Sequence, residues 1–91
     1  MTAYTIATHP VKDFDTWKAG FDSALEIRQA AGELSATVIR GGDDGNQVTV
    51  INTWTSLEQA TAMLHNPDMK PMMEAAGVLE FPTIIMGNSV E

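Results

Sequence analysis

The chain has 91 residues, no cysteine, and 12 acidic against 5 basic side chains, a formal charge of −7 at neutral pH. That length sets one domain, residues 1–91, with a modest core, and the charge disfavours nucleic acid and anionic membrane surfaces, which need clustered Lys and Arg. Without cysteine there are no disulfides, thiol nucleophiles or zinc–thiolate centres.

Residues 3–9, Ala-Tyr-Thr-Ile-Ala-Thr-His, are rich in β-branched and aromatic side chains and predict a strand closed by Pro10. No basic start and long apolar core precede it, so a secretory signal is not expected and the cytoplasm is the expected compartment. Asp13 fits an N-cap. Phe14, Trp17, Phe21, Leu25 and Arg28 then recur at helical spacing, which predicts one amphipathic helix of about five turns ending at Gly32 as the C′ residue. Residues 34–40 form a second strand and residues 47–54 a third. The intervening Gly41-Gly42-Asp43-Asp44-Gly45-Asn46 makes them a hairpin. That loop has two aspartates, no Lys and no helix after it, so it is not a phosphate cradle.

Thr55 with Glu58 and Ser56 with Gln59 offer two overlapping capping boxes. The helix they start buries Leu57, Ala60, Thr61 and Leu64. Asn66-Pro67 reads as a fresh N-cap with Pro at the first helical position, leading to a short helix through Met72 and Met73 that Pro71 kinks and Gly77 ends. Residues 78–86 make the last strand. Its apolar run is interrupted by Glu80 and Pro82, so nothing spans a membrane.

The order is β-α-β-β-α-β. With right-handed crossovers it predicts an α+β, ferredoxin-like fold, in which a four-stranded antiparallel sheet carries both helices on one face. The opposite face should then be polar at every second position, but the strands are apolar on both parities. Val48, Val50 and Trp54 stand against Ile51, Tyr4 and Ile6 against Ala3 and Ala7, and Leu79, Phe81 and Ile85 against Pro82, Ile84 and Met86. An isologous homodimer, sheet against sheet, would cover the exposed patch.

The segments Thr8-His9-Pro10-Val11-Lys12-Asp13-Phe14-Asp15-Thr16-Trp17-Lys18, Arg28-Gln29-Ala30-Ala31-Gly32, Val48-Thr49-Val50 to Trp54-Thr55-Ser56-Leu57-Glu58-Gln59-Ala60, and Asn66-Pro67-Asp68 to Ala75 and Gly77-Val78 together resemble small proteins of the dimeric α+β-barrel superfamily. The nearest group is the antibiotic-biosynthesis-monooxygenase-like and cyclase-like short proteins of bacteria. The resemblance covers nearly the whole chain. It implies a homodimeric barrel and a site taking a small apolar or aromatic molecule without a cofactor, and it leaves the reaction open, because one fold hosts many. It further implies that Trp54 and Asn52, on one face of the third strand, line the site, with His9 joining from the first strand and His65 from the helix after the Trp segment.

Among these residues His9 is the natural general base near neutral pH. Asn52 and Tyr4 would hydrogen-bond an oxygen that gains charge, and Trp54 would stack a flat ring. Arg40 could meet a carboxylate, and Met63, with the other methionines of the second helical segment, could adapt to an apolar ligand. Two histidines are too few for a stable metal site, so neither metal nor cofactor is expected. The leading expectation is a cofactor-independent monooxygenase, or a cyclase or isomerase, started by general-base deprotonation of an aromatic or polyketide-like substrate. The rival is a non-catalytic, dimeric ligand-binding or stress-associated module.

Overall fold

The protein is described by a computed structural model covering residues 1–90. Strand β1 (Ala3–Pro10) leads into helices α1 (Phe14–Ser23) and α2 (Leu25–Ala30). The hairpin of β2 (Glu33–Arg40) and β3 (Gln47–Trp54) follows, then helices α3 (Leu57–Leu64) and α4 (Met69–Ala75), and finally β4 (Thr83–Asn88). The strands form one antiparallel sheet in the order β2-β3-β1-β4. This is the expected ferredoxin-like α+β architecture, with each helical segment divided in two.

Asp13 caps α1 as expected, its carboxylate accepting from the Thr16 N–H at 3.0 Å. The predicted five-turn helix is nevertheless broken at Ala24. The Ser23 hydroxyl donates to the Gly20 carbonyl, which in an unbroken helix would accept the Ala24 N–H. That N–H turns to the Phe21 carbonyl instead. The break leaves Leu25 46% exposed, while Ala24 lines the interior and Arg28 is buried. Gly32 then takes φ +105°, a conformation that glycine adopts without steric cost.

The other departures have equally local causes. Strand β2 begins at Glu33, one residue before the expected strand, and a bulge between Glu33 and Ser35 turns the Glu33 side chain inward. Ser56, not Thr55, caps α3 by accepting from the Gln59 N–H. That helix buries Ala60 and Met63, with Leu57, Thr61 and Leu64 half-buried. Asn66-Pro67 makes a turn ahead of α4 rather than its first turn, because the Asn66 side chain and carbonyl accept from Asp68 and Met69. Pro71 consequently falls in the first turn of α4, where no helical partner awaits an N–H, so it does not kink the helix. The last strand runs over 83–88 instead of 78–86. Only Val78 of the earlier segment bridges, to Val11, and Pro82 has no N–H to give a ladder.

The register fixes the two faces of the sheet. Ala3, Thr5, Ala7 and His9 of β1, with Val48, Val50, Asn52 and Trp54 of β3, face the helices. There the buried apolar residues form two clusters. One is Ala3, Trp54, Ala60 and Met63, and the other is Val11, Trp17, Val48 and Val50. The row between them holds the register pair Thr5–Asn52. Among the described residues no helix lies over the other face. Ile51, Ile6 and Ile85 run across its centre in register, with Tyr4, Thr8, Thr49 and Thr53 around them, and Ile85 is 66% exposed.

Candidate active site

A cavity of about 170 Å³ lies between the helices and the sheet. Thr5, Ala7, His9, Asn52 and Trp54 form its floor. Trp17, Phe21 and Arg28 form one wall, and Met63, Met69, Met72 and Met73 the other. Phe81 borders the cavity and is 67% exposed, which places the mouth at the segment between α4 and β4. Trp17 stacks on Phe21 at 5.1 Å between ring centroids and meets His9 edge-on at 5.5 Å. Such a wall is apolar and flat on the scale of one aromatic ring.

A chain of buried polar groups runs along one end. Trp54 Nε1 donates to the Thr5 hydroxyl at 2.9 Å, and that hydroxyl donates to Asn52 Oδ1 at 3.4 Å. Asn52 Nδ2 donates to Glu33 Oε1 at 3.3 Å, and Arg28 Nε donates to Glu33 Oε2 at 2.6 Å. Arg28 also donates to the Phe21 carbonyl, and its guanidinium lies 3.6 Å from the Phe21 ring centroid. All five residues of the chain are buried. Each member satisfies its neighbour, as burial of polar groups requires. The bonds also set the Asn52 amide, with Oδ1 toward Thr5 and Nδ2 toward Glu33, and leave its second N–H uncommitted.

His9 occupies the other end. It is 5% exposed, and its Nδ1 is closed off from solvent with no hydrogen-bond partner among the described residues. Burial pushes its pKa below the ordinary imidazole value, an effect partly offset by the Pro10 carbonyl. The ring is therefore neutral at pH 7, the form in which one nitrogen carries a lone pair able to accept a proton.

The structure brings His9, Asn52, Trp54 and Met63 to one cavity. It does not bring Tyr4, His65 or Arg40 there. Tyr4 pairs with Thr53 and Gly87 on the uncovered face, because its even position points away from His9 and Thr5. His65 is the exposed C-cap of α3. Arg40 donates to the Gly45 carbonyl and packs over Phe14 at the hairpin. Thr5 and Glu33 were not apparent from the sequence as site residues, and Arg28 stood there only in the recurring face of the first helix. The even spacing that aligns Thr5 with His9 is the one local signal that marks Thr5. Among the described residues no group of three His, Asp or Glu could hold a metal ion.

No family model and no curated protein sequence matches the chain. Solved structures do match. A protein assigned to the antibiotic biosynthesis monooxygenases, from Bordetella bronchiseptica, superimposes with a TM-score of 0.81 at 16% identity, covering 99% of this chain and 98% of that one. SnoaB, a cofactor-independent oxygenase from Streptomyces nogalater, gives 0.71 at 17% identity, covering 99% and 92%. The ActVA-Orf6 monooxygenase of Streptomyces coelicolor, in complex with nanaomycin D, gives 0.66 at 20% identity, covering 99% and 88%. The likeness is one of fold: the chain has the ferredoxin-like α+β architecture that these monooxygenase structures share.

Proposed function

We propose that the chain is a cofactor-independent enzyme that oxygenates a small aromatic substrate after general-base deprotonation. The observation that carries this is His9, a buried imidazole held neutral beside aromatic walls in a cavity of ring-sized dimensions. The fold shared with a cofactor-independent oxygenase supports it. In this reading neutral His9 takes a proton from an activated phenol or ring C–H. The resulting anion gives an electron to O₂, the two radicals combine into a C–O bond, and the O–O bond breaks with loss of water. One oxygen atom ends as a product carbonyl and the other as water, so the four electrons gained by O₂ equal those lost by the substrate. Trp54 packs the ring, and the free Asn52 N–H stabilises the oxygen that gains charge. Oxygen uptake by the wild-type protein with a set of hydroxylated aromatics tests the reading. His9→Ala should lower the rate by about 10²–10⁴-fold, the usual share of a general base, and an unchanged rate removes His9 from the mechanism.

A second reading is favoured by one observation. The polar groups at the Asn52 end largely satisfy one another, and much of the remaining lining is Met and aromatic. A non-catalytic module that holds an apolar ligand would have the same lining. Ligand binding without oxygen uptake across the same set selects it.

We also propose that the uncovered face, with Ile6, Ile51 and Ile85 in register, pairs with a second copy of the chain. Its isoleucine row flanked by threonines is self-complementary under a two-fold axis. Sedimentation at micromolar concentration should give twice the chain mass of 9.8 kDa.

A further inference from the structure

The cavity has polar character at two ends and little between. His9 stands at one end. The Thr5–Asn52 pair stands four residues away along β1, about 13 Å between backbone positions at the usual rise of a strand. Ala7 and Val50, paired in register, lie between them. The two ends also differ in what they offer. At the Asn52 end the amide orientation is set by Thr5 and Glu33, so the uncommitted group is an N–H donor. Glu33 already neutralises Arg28 there, which favours a neutral acceptor over a carboxylate. At the His9 end Nδ1 is closed off with no hydrogen-bond partner among the described residues, so Nε2 is the nitrogen left to meet a ligand. A proton assigned to Nδ1 leaves Nε2 with a lone pair, an acceptor for a hydroxyl. For size, an apolar cavity of about 150 Å³ takes up benzene, whereas drug-sized ligands need about 300 Å³ or more. At 170 Å³ with a mouth at Phe81, the cavity suits one ring enclosed, or two with the second toward the mouth.

We infer that the cavity selects a flat molecule of one or two rings with a hydroxyl at one end and a carbonyl at the other. The hydroxyl donates to His9 and the carbonyl accepts from Asn52. The inference rests on the aromatic-site reading above and narrows it, since neither a lone hydroxyl nor a lone carbonyl satisfies both ends.

Calorimetric titration of the intact protein under anaerobic conditions tests this with four probes of matched shape: 6-hydroxy-1-tetralone, 1-tetralone, 5,6,7,8-tetrahydro-2-naphthol and tetralin. The two-ended probe should bind most tightly, by about tenfold over each one-ended probe, as expected for one further buried hydrogen bond. In His9→Phe, which keeps a ring at the position, the advantage of the hydroxyl should vanish while that of the carbonyl stays. The wild-type series stands alone if that variant fails to fold. Equal binding of all four probes overturns the inference but leaves an apolar aromatic site. No binding by any probe overturns both. Selective anaerobic binding of the two-ended probe, with no oxygen uptake across the hydroxylated aromatics once air is admitted, upholds the inference and removes the oxygenase reading.

Discussion

Replacing Glu33 by Gln isolates the ion pair that anchors the polar chain. The Arg28 and Glu33 side chains are 10% and 3% exposed, with Nε and Oε2 at 2.6 Å. Neutralising the carboxylate leaves a guanidinium in the interior with the Phe21 carbonyl and ring as its remaining partners. Breaking a buried pair from one side costs about 3–5 kcal/mol. The lower end of that range applies here, because Phe21 still holds Arg28 and the Gln carbonyl can still accept from Asn52. A domain of this size is stable by about 5–14 kcal/mol, so the loss is a large fraction of the whole. In urea, with a slope of about 1–3 kcal/mol per molar, the midpoint should fall by at least about 1 M. Replacing both partners by apolar residues, Arg28→Met with Glu33→Leu, should recover much of it, since no buried charge is left alone. A loss under about 1 kcal/mol for Glu33→Gln would refute the reasoning. It would mean that water from the crevice beside Lys18, Asp22 and Ser35 screens the pair.

Other consequences are as direct. Because burial lowers the pKa of His9, the unfolded chain binds its proton at a higher pH than the folded one. Stability associated with His9 is therefore fully present above about pH 6.5 and is lost as pH falls below that value toward the folded pKa. Urea midpoints for wild type and His9→Gln from pH 7.5 to 5 should show the steeper loss in the wild type, and parallel curves would rule the effect out. Gly32→Ala forces a Cβ to within 2.6 Å of Gln59 Oε1 at φ +105°; it should cost about 1–3 kcal/mol and lower the melting temperature by several degrees, and an unchanged Tm would contradict the strain. Thr5→Val keeps the shape but strips Trp54 Nε1 of its acceptor, with an expected loss of about 1–3 kcal/mol in urea unfolding; no loss would mean that the indole N–H finds another partner. Ile51→Lys places a charge at the centre of the uncovered face and should give a folded monomer in sedimentation, whereas a persistent dimer would locate the contact elsewhere.

The amino-acid sequence by itself determined the element order, because hydrophobic period, the caps at Asp13 and Ser56, and the turn glycines at 32 and 77 are local signals. It also determined that Asn52 and Trp54 share a face, and that His9 shares one with Thr5, since strand side chains alternate. Only the tertiary structure decided which of the two apolar faces the helices cover. Parity relates residues within a strand but does not say which side is inside, and Tyr4 went to the uncovered side for that reason. The Arg28–Glu33 pair was beyond sequence reading for a related cause. Its partners flank the Gly32 turn, and the bulge that turns Glu33 inward is a property of how β2 meets β3. That long-range pairing, together with the break at Ala24 that aims Arg28 inward, joins residues from α2, β1, β2 and β3 into the one polar chain that borders the cavity.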